Sequence, residues 1–517
     1  MGSVVSFRVF KLEKKVISPR GIFEDTYVID SDGVPRFKIL IGGSWSFGSS
    51  GGDYFDVRSP IDGNTVARAT RATKDDANSA VQAAYSARTK IRSIAAVHRI
   101  ELFEKTCEVM RSYAEDFIRT IVIESGKPIS SARGEFEASL LRMCYASEEA
   151  RRIYGEYIPG DWIEDTKNKV GMVIREPVGV VAAISPFNYP LFSGVSKVVP
   201  AILAGNAVVL KPASDTPISL IMYARALEVA GLPSGVLNVV TGSGSDVGDV
   251  ITRHELVGAI SFTGSTEIGK QIAARAGLKR LHLELGGKAA AIVLEDADID
   301  LAARKVAQGS LRNSGQRCDA ISRVLVVEEV AEAFVKKLRE EVARTKSGNP
   351  WDDDVVVGPL INERALRKVD ELVRDALSRG AELVMGGSSE GLLYHPTILD
   401  KVPLDSRIAW EETFGPVIPV IRVKDLDEAL EVANRSRYGL DSCVFTTSMY
   451  KAWRAIKLLE VGTVTVNDFP AHGVGNFPFG GIKDSGIGRE GLGYSIDELT
   501  VLKTISINVE PSGLRKE

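Results

Sequence analysis

Between residues 170 and 294 short apolar runs alternate with helical stretches, and this rhythm constrains the fold of the 517-residue chain more than any other feature. "VGVVAAISP" is followed by a helix near residues 195–203, then "NAVVLKP", the helix "ISLIMYARALEVAGLP" and "GVLNVVTG". A short helix, "GAISFTGS", another helix and "RLHLELGG" complete the series. Strands that are apolar along their whole length are buried on both faces, so the pattern predicts a parallel sheet covered by helices on either side. The rhythm resumes after Gly287 through "KAAAIVLED", "RVLVV", "VIPVIRV", "SCVFTT" and "GTVTVN", with long helices expected near 330–344 and 366–378. Two α/β units are expected, and the pair Gly286–Gly287 is a candidate hinge between them.

Residues 74–154 read as helical. In "RIELFEKTCEVMRSYAEDF" the residues Leu102, Phe103, Cys107, Met110, Tyr113 and Phe117 recur every three or four positions, which places Cys107 in a buried stripe. Cys144, three residues after Leu141, is expected to be buried likewise, and Cys443 belongs to a strand. The first forty residues read as an extension of short strands and loops. The stretches 156–175 and 499–509 read as isolated strands, able to pair with each other or with another subunit. A net charge of −4 offers no basic surface for nucleic acid or membrane. The opening "MGSVVSFRVFKLEKK" lacks a secretory signal's apolar core. Four cysteines without a Cys-x-x-Cys pair, and five scattered histidines, predict no metal site and a reduced, cytoplasmic setting. Only four glutamines occur (Gln82, Gln271, Gln308, Gln316), which hints at a thermophilic source.

Ligands of parallel sheets bind beyond the carboxyl ends of the strands, so the residues there carry the chemistry. Gly264 and Ser265 end one strand and open a helix, whose free N–H groups suit a phosphate; an ordinary capped turn, with Ile268 starting the apolar face, accounts for them equally well. Lys211 ends another strand, where it can reach a ribose or phosphate or simply be solvated. Glu284 lies in an apolar strand with Lys288 as its one nearby cation. It reads either as a desolvated proton acceptor or as an edge-strand residue facing water. Asn188, between Pro186 and Pro190, is an oxyanion donor or a turn residue. Glu411 and Glu412 precede a Phe-Gly-Pro turn, where one of them can bond a sugar hydroxyl. Cys318, in "NSGQRCDA", is the one cysteine set among polar and small residues.

Taken together, "PFNYP", "KPAS", "FTGSTEIG", "LELGGK", "GQRC", "EETFGPV" and "FPFGGIKDSGIGREG" resemble the aldehyde dehydrogenase superfamily in order and spacing, from about residue 41 to nearly the end. The resemblance implies a Rossmann-like cofactor-binding domain (residues 41–155 and 176–285) and an α/β catalytic domain (286–495). It also implies a small β-strand oligomerisation element (156–175 and 496–517), an N-terminal extension (1–40), and assembly as a homodimer or homotetramer. It implies that Cys318 attacks the aldehyde as a thiolate, that Asn188 and the Cys318 N–H hold the oxyanion, and that Glu284 activates water against the resulting thioester. Lys211, Gly264, Ser265, Glu412, Phe414 and Pro186 would then bind the dinucleotide. Ser214 stands where the family often has a Glu that repels a 2′-phosphate, so NADP is the expected cofactor, with NAD also accepted. Within the family the chain is most similar to the non-phosphorylating glyceraldehyde-3-phosphate dehydrogenases, which implies Arg317 and Tyr189 as phosphate ligands and Phe187, Phe477 and Phe479 as apolar walls. It departs from that branch at His472 and Ala138, where arginines are usual, with Arg142 one turn beyond Ala138. The substrate expected is therefore glyceraldehyde-3-phosphate, glyceraldehyde or a semialdehyde. The alternatives are a broad-specificity aliphatic aldehyde dehydrogenase and a coenzyme-A-acylating enzyme.

Overall fold

The computed structural model describes residues 16–509. The opening segment 1–15 and the last part of the expected oligomerisation element, 510–517, lie outside the described residues. Among the described residues no helix is long and apolar enough to cross a membrane.

The first α/β unit is an eight-stranded sheet. Its five central strands run parallel in the order Arg280–Glu284, Ala259–Thr263, Val180–Ile184, Ala207–Lys211, Leu237–Val239. The chain therefore starts in the middle at Val180–Ile184, moves outward to one side, then crosses back to build the other. Such a reversal opens a crevice at the carboxyl ends of the two strands flanking it, here Ile184 and Thr263. Successive residues face opposite ways: Val181 and Ala183 enter one core cluster, Val180 and Ala182 the other. This is why the strands read as unbroken apolar runs. The 16–40 part of the expected extension packs into the same core through Ile17, Phe23 and Phe37, and Ile39–Ile41 joins the sheet beside Leu237–Val239.

The second unit is a seven-stranded sheet whose strands are parallel except at the Glu382–Met385 edge. Its strand Ala289–Val293 follows Glu284 after only four residues, so the two sheets are tied together at Leu285–Lys288. A return segment, Gly486–Ile487, pairs back onto Leu283 and Glu284 in the first sheet, so Glu284 is not on an edge. The stretches read as isolated strands pair with each other: Thr500–Asn508 runs antiparallel to Lys169–Pro177, which also pairs with Glu156–Pro159.

The helical 74–154 region covers the first sheet. Cys107 is buried as expected, but Cys144 is exposed, because it is the last residue of the Ile129–Cys144 helix and lies beyond the packed stripe.

Candidate active site

A cavity of about 780 Å³ opens at the crevice between the sheets. Cys318, Asn188, Glu284, Pro186, Phe187, Tyr189, Gly264, Ser265, Arg317, Glu412, Phe414 and Phe479 all line it, although the chain separates the first and last of them by nearly three hundred residues. Lys211 and Ser214 do not line this cavity. Lys211 is buried with its Nζ donating to the Pro212 carbonyl at 3.1 Å, and the Ser214 hydroxyl donates to the Gly242 carbonyl at 3.1 Å. Phe477 is also outside it and largely exposed, so it is no wall of the pocket.

Cys318 is presented by a loop with unusual backbone geometry. After the Ile299–Leu311 helix, Asn313 and Ser314 adopt left-handed φ of 54° and 58°. Each such residue costs on the order of 1 kcal/mol, offset by the bonds the loop makes. The Ser314 hydroxyl donates to the Gly358 carbonyl at 3.0 Å and accepts from the Gly358 N–H at 2.9 Å. Gln316 Oε1 accepts from the Ile361 N–H at 2.9 Å. Asn188 Nδ2 donates to the Gln316 carbonyl at 2.9 Å, which ties the two loops together and leaves the second amide hydrogen for another acceptor. Asn188 is held in turn by the helix it precedes. Pro190 occupies the first turn of Pro190–Leu203, and Glu135 Oε1 accepts from the Leu191 and Phe192 N–H groups at 2.9 and 3.1 Å. Lys127 pairs with the other Glu135 oxygen. Burial pushes the Cys318 thiol well above its ordinary range, and Asp319, Glu284 and Asp441 push the same way.

Glu284 is buried at the end of its strand. Burial, then Glu490, raises its pKa well above the usual carboxylate range. Oε1 lies 3.2 Å from His282 Nε2, while Oε2 has no hydrogen-bond partner. Burial and the charge of Lys197 hold His282 down at about 3, so its ring is neutral. A ring donating from Nε2 to Glu284 and accepting the Ser261 hydroxyl at Nδ1, 2.9 Å away, links the three groups and leaves Oε2 as the Glu284 oxygen without a partner among the described residues. Lys288 is not Glu284's partner; it donates to Thr413 Oγ1 at 2.9 Å. Sequence reasoning missed the groups that tune Glu284: His282, and Lys197 with Glu490, whose charged atoms are 3.5 Å apart. A lone lysine in an otherwise apolar helix was the available signal.

The glycines beside Glu284 serve close approach rather than a hinge. A Cβ on Gly286 would meet Glu412 Oε1 at 2.8 Å, and one on Gly287 would meet the Cys318 carbonyl oxygen at 2.2 Å. Gly287 N–H donates to Glu412 Oε1 at 3.2 Å, so Glu412 is the carboxylate turned inward, whereas Glu411 pairs with Arg407 at the surface. Phe414, at a left-handed φ of 53°, packs edge-on against Phe187 with ring centres 5.8 Å apart. Ser265 is at the N-cap position of Thr266–Arg275, but its side chain makes no capping bond, leaving the first-turn N–H groups open. Ile268 is half-exposed along the cavity instead of starting the buried face.

Arg142, Arg312 and Arg317 also line the cavity. Arg317 donates to Asp319 Oδ2 at 2.7 Å and to the Pro470 carbonyl at 3.2 Å, while its Nη1 has no hydrogen-bond partner among the described residues. Arg142 pairs with Glu149 at 2.7 Å inside the protein, and its Nη1, close to Gly475, is likewise without a partner. His472 sits 3.1 Å from Asp441 and 4.5 Å, centre to centre, from the Phe479 ring.

A thiol, a carboxyl of raised pKa and an amide donor converging on one cavity can carry out acyl chemistry at an aldehyde carbon. Residues 45–505 match the aldehyde dehydrogenase family model. The chain is 39% identical to the NADP-dependent glyceraldehyde-3-phosphate dehydrogenase of Streptococcus equinus, across 92% of this chain and 99% of the relative. It is 37% identical to the 3-sulfolactaldehyde dehydrogenase of Priestia aryabhattai, again across 92% and 99%. The crystal structure of the Bacillus halodurans NADP-dependent glyceraldehyde-3-phosphate dehydrogenase complexed with NADP superposes with a TM-score of 0.89 at 38% identity, covering 91% of this chain and 99% of that one. The chain therefore belongs to the aldehyde dehydrogenase family and is an oxidoreductase that acts on an aldehyde group.

Proposed function

We propose that this enzyme oxidises a small aldehyde bearing an anionic group to the carboxylic acid, with NADP as hydride acceptor. The observation that carries this reading is one cavity holding Cys318, Asn188 and Glu284 together with two buried guanidinium nitrogens, on Arg142 and Arg317, that lack a partner. Unpaired buried donors of that kind suit a phosphate, sulfonate or carboxylate. Phosphate and sulfonate are the groups in the substrates for which the two relatives are named.

In this reading the Cys318 thiol gives up its proton to solvent water as its sulfur bonds the aldehyde carbon, and the carbonyl oxygen accepts from the free Asn188 amide hydrogen and the Cys318 N–H. The nicotinamide, when bound, supplies the hydride acceptor. Loss of hydride from the cysteine-bound adduct leaves a thioester on Cys318. Glu284 takes the proton of the attacking water through its unpartnered Oε2, releasing the acid and restoring the thiol. The residues present fit the dinucleotide. The open N–H groups at Gly264–Ser265 suit a pyrophosphate and Glu412 suits a ribose hydroxyl, with Pro186 and Phe414 beside it. Ser214 brings no charge against a 2′-phosphate. Lys211, which burial lowers to about 8, is a cation without a carboxylate bonded to it.

The same proposal has the two α/β units act as cofactor-binding and catalytic domains, and the three-stranded sheet assemble a homodimer or homotetramer. Tyr157, Trp162, Ile163 and Leu502 are exposed on or beside that sheet, in support of a covering subunit. A cytoplasmic, thermophilic setting is inferred from the free thiols and the scarcity of glutamine.

Steady-state rates with NADP and NAD against glyceraldehyde-3-phosphate, 3-sulfolactaldehyde, succinic semialdehyde, glyceraldehyde and hexanal test the reading. At least one anionic aldehyde should exceed both neutral ones in kcat/KM by tenfold or more, on the order of one charge-assisted hydrogen bond, and NADP should exceed NAD. Equal rates for neutral aldehydes would replace it with a broad-specificity enzyme, and acyl-coenzyme-A formation with an acylating one.

A further inference from the structure

We propose that Cys107 and Cys144 form a reversible disulfide that staples the Ala96–Ser112 helix to the Ile129–Cys144 helix. Their sulfurs are 3.3 Å apart. Cys107 is buried, and its thiol donates to the Leu140 carbonyl at 3.3 Å, which holds the sulfur facing its neighbour. Cys144 is exposed, and Arg111 Nη2 donates to its sulfur at 3.6 Å. One thiol is thus reachable from solvent and the other is reachable through it. That is the arrangement of an attacking and a resolving cysteine.

The inequality of the two sites sets the order of events. The Cys144 sulfur, its proton passing to solvent, attacks a low-molecular-weight disulfide, forming a mixed disulfide and expelling one small thiolate. The Cys107 sulfur, its proton passing to solvent, then attacks the Cys144 sulfur and expels the second. Two protein thiols are oxidised, and one small disulfide is reduced to two thiols. Closure draws the sulfurs together by about 1.3 Å, to a bond of ~2.0 Å, a movement within reach of side-chain rotation. Because the cysteines are 37 positions apart, the link removes freedom from a long loop of the unfolded chain. It also fixes the end of the helix that carries Glu135, Ala138 and Arg142 into the cavity wall.

The test uses folded Cys318→Ser protein, so that the active-site thiol takes no part, incubated with glutathione disulfide, alkylated and mapped without reduction. The expected result is a Cys107–Cys144 linked peptide pair and a Tm rise of about 2–4 °C, both reversed by dithiothreitol. Adding Cys144→Ser, or Cys107→Ala as a second variant, should abolish both responses, while Cys144→Ser in the otherwise unaltered enzyme keeps its activity. A glutathione adduct that persists on Cys144 without the link would overturn the proposal. So would a link that leaves Tm unchanged or lowers it.

Discussion

At the scale of single residues, Glu284 joins two consequences in one group. Its carboxyl titrates above the ordinary value of 4.5 in the folded chain because burial and Glu490 disfavour its charge. In the proposed mechanism the basic form activates water, so kcat should rise with pH along a limb that Glu284→Gln removes. That variant should lose about 10²–10⁴-fold in kcat, yet retain a single burst of NADPH, since the hydride leaves before water attacks. A variant without the burst would move Glu284 to an earlier step. The sign for stability is opposite. A raised folded pKa means the folded chain binds the proton more tightly than the unfolded chain. Stability therefore falls as pH climbs from the unfolded carboxyl value towards the folded one, and Glu284→Gln should melt higher than the parent at pH 7.5. Arg142 presents a comparable separation. Arg142→Leu strands Glu149 inside the protein and should cost roughly 3–5 kcal/mol of stability. The pair change Arg142→Leu with Glu149→Leu should recover stability in denaturant titrations while kcat/KM for the anionic aldehyde stays about 10–100-fold low. Recovery of both would mean that Arg142 only packs.

Elements explain why the site residues are where they are. The crevice exists because the parallel part of the sheet starts at Val180–Ile184 and the chain later returns to its other side, so the loops after Ile184 and Thr263 diverge. The connection Leu285–Lys288 threads between the two sheets so tightly that a Cβ at 287 would sit 2.2 Å from the Cys318 carbonyl oxygen. Gly287→Ala should therefore displace the loop that carries Cys318. Activity should fall at least tenfold and Tm should fall with it, whereas a flexible hinge would tolerate the methyl group; thermal scans and kcat/KM decide between them. Much of this level was legible in the sequence. Unbroken apolar runs place strands between helices because both faces must be dry, and the positions of Asn188, Gly264 and Glu284 at or just after strand ends follow from that alternation, whereas Cys318 lies in the loop between the Ile299–Leu311 helix and the Ile321–Val327 strand. What the sequence concealed was partnership. That His282 and not Lys288 lies beside Glu284, and that Cys144 is exposed, depend on what folds against a residue from elsewhere in the chain.

Across the whole molecule, the three-stranded sheet leaves Leu502 about two-thirds exposed, an apolar surface that a second copy would cover. Leu502→Asp should lower the molar mass measured by light scattering without changing the far-ultraviolet dichroism. An unchanged mass would remove this sheet as a subunit contact. The sequence by itself determined the fold class, the order of strands and helices, and the motifs by which Cys318, Glu284 and Asn188 resemble the family, because hydrophobic periodicity and local motifs are properties of neighbouring residues. Only the tertiary structure decided that Glu284 is desolvated and tuned by Glu490, that Lys211 and Ser214 stand outside the main cavity, that Arg142 and Arg317 each leave a nitrogen unpaired, and that Cys107 meets Cys144. Charge, burial and contact are set by segments distant in the chain, and their effects exist only once those segments are packed together.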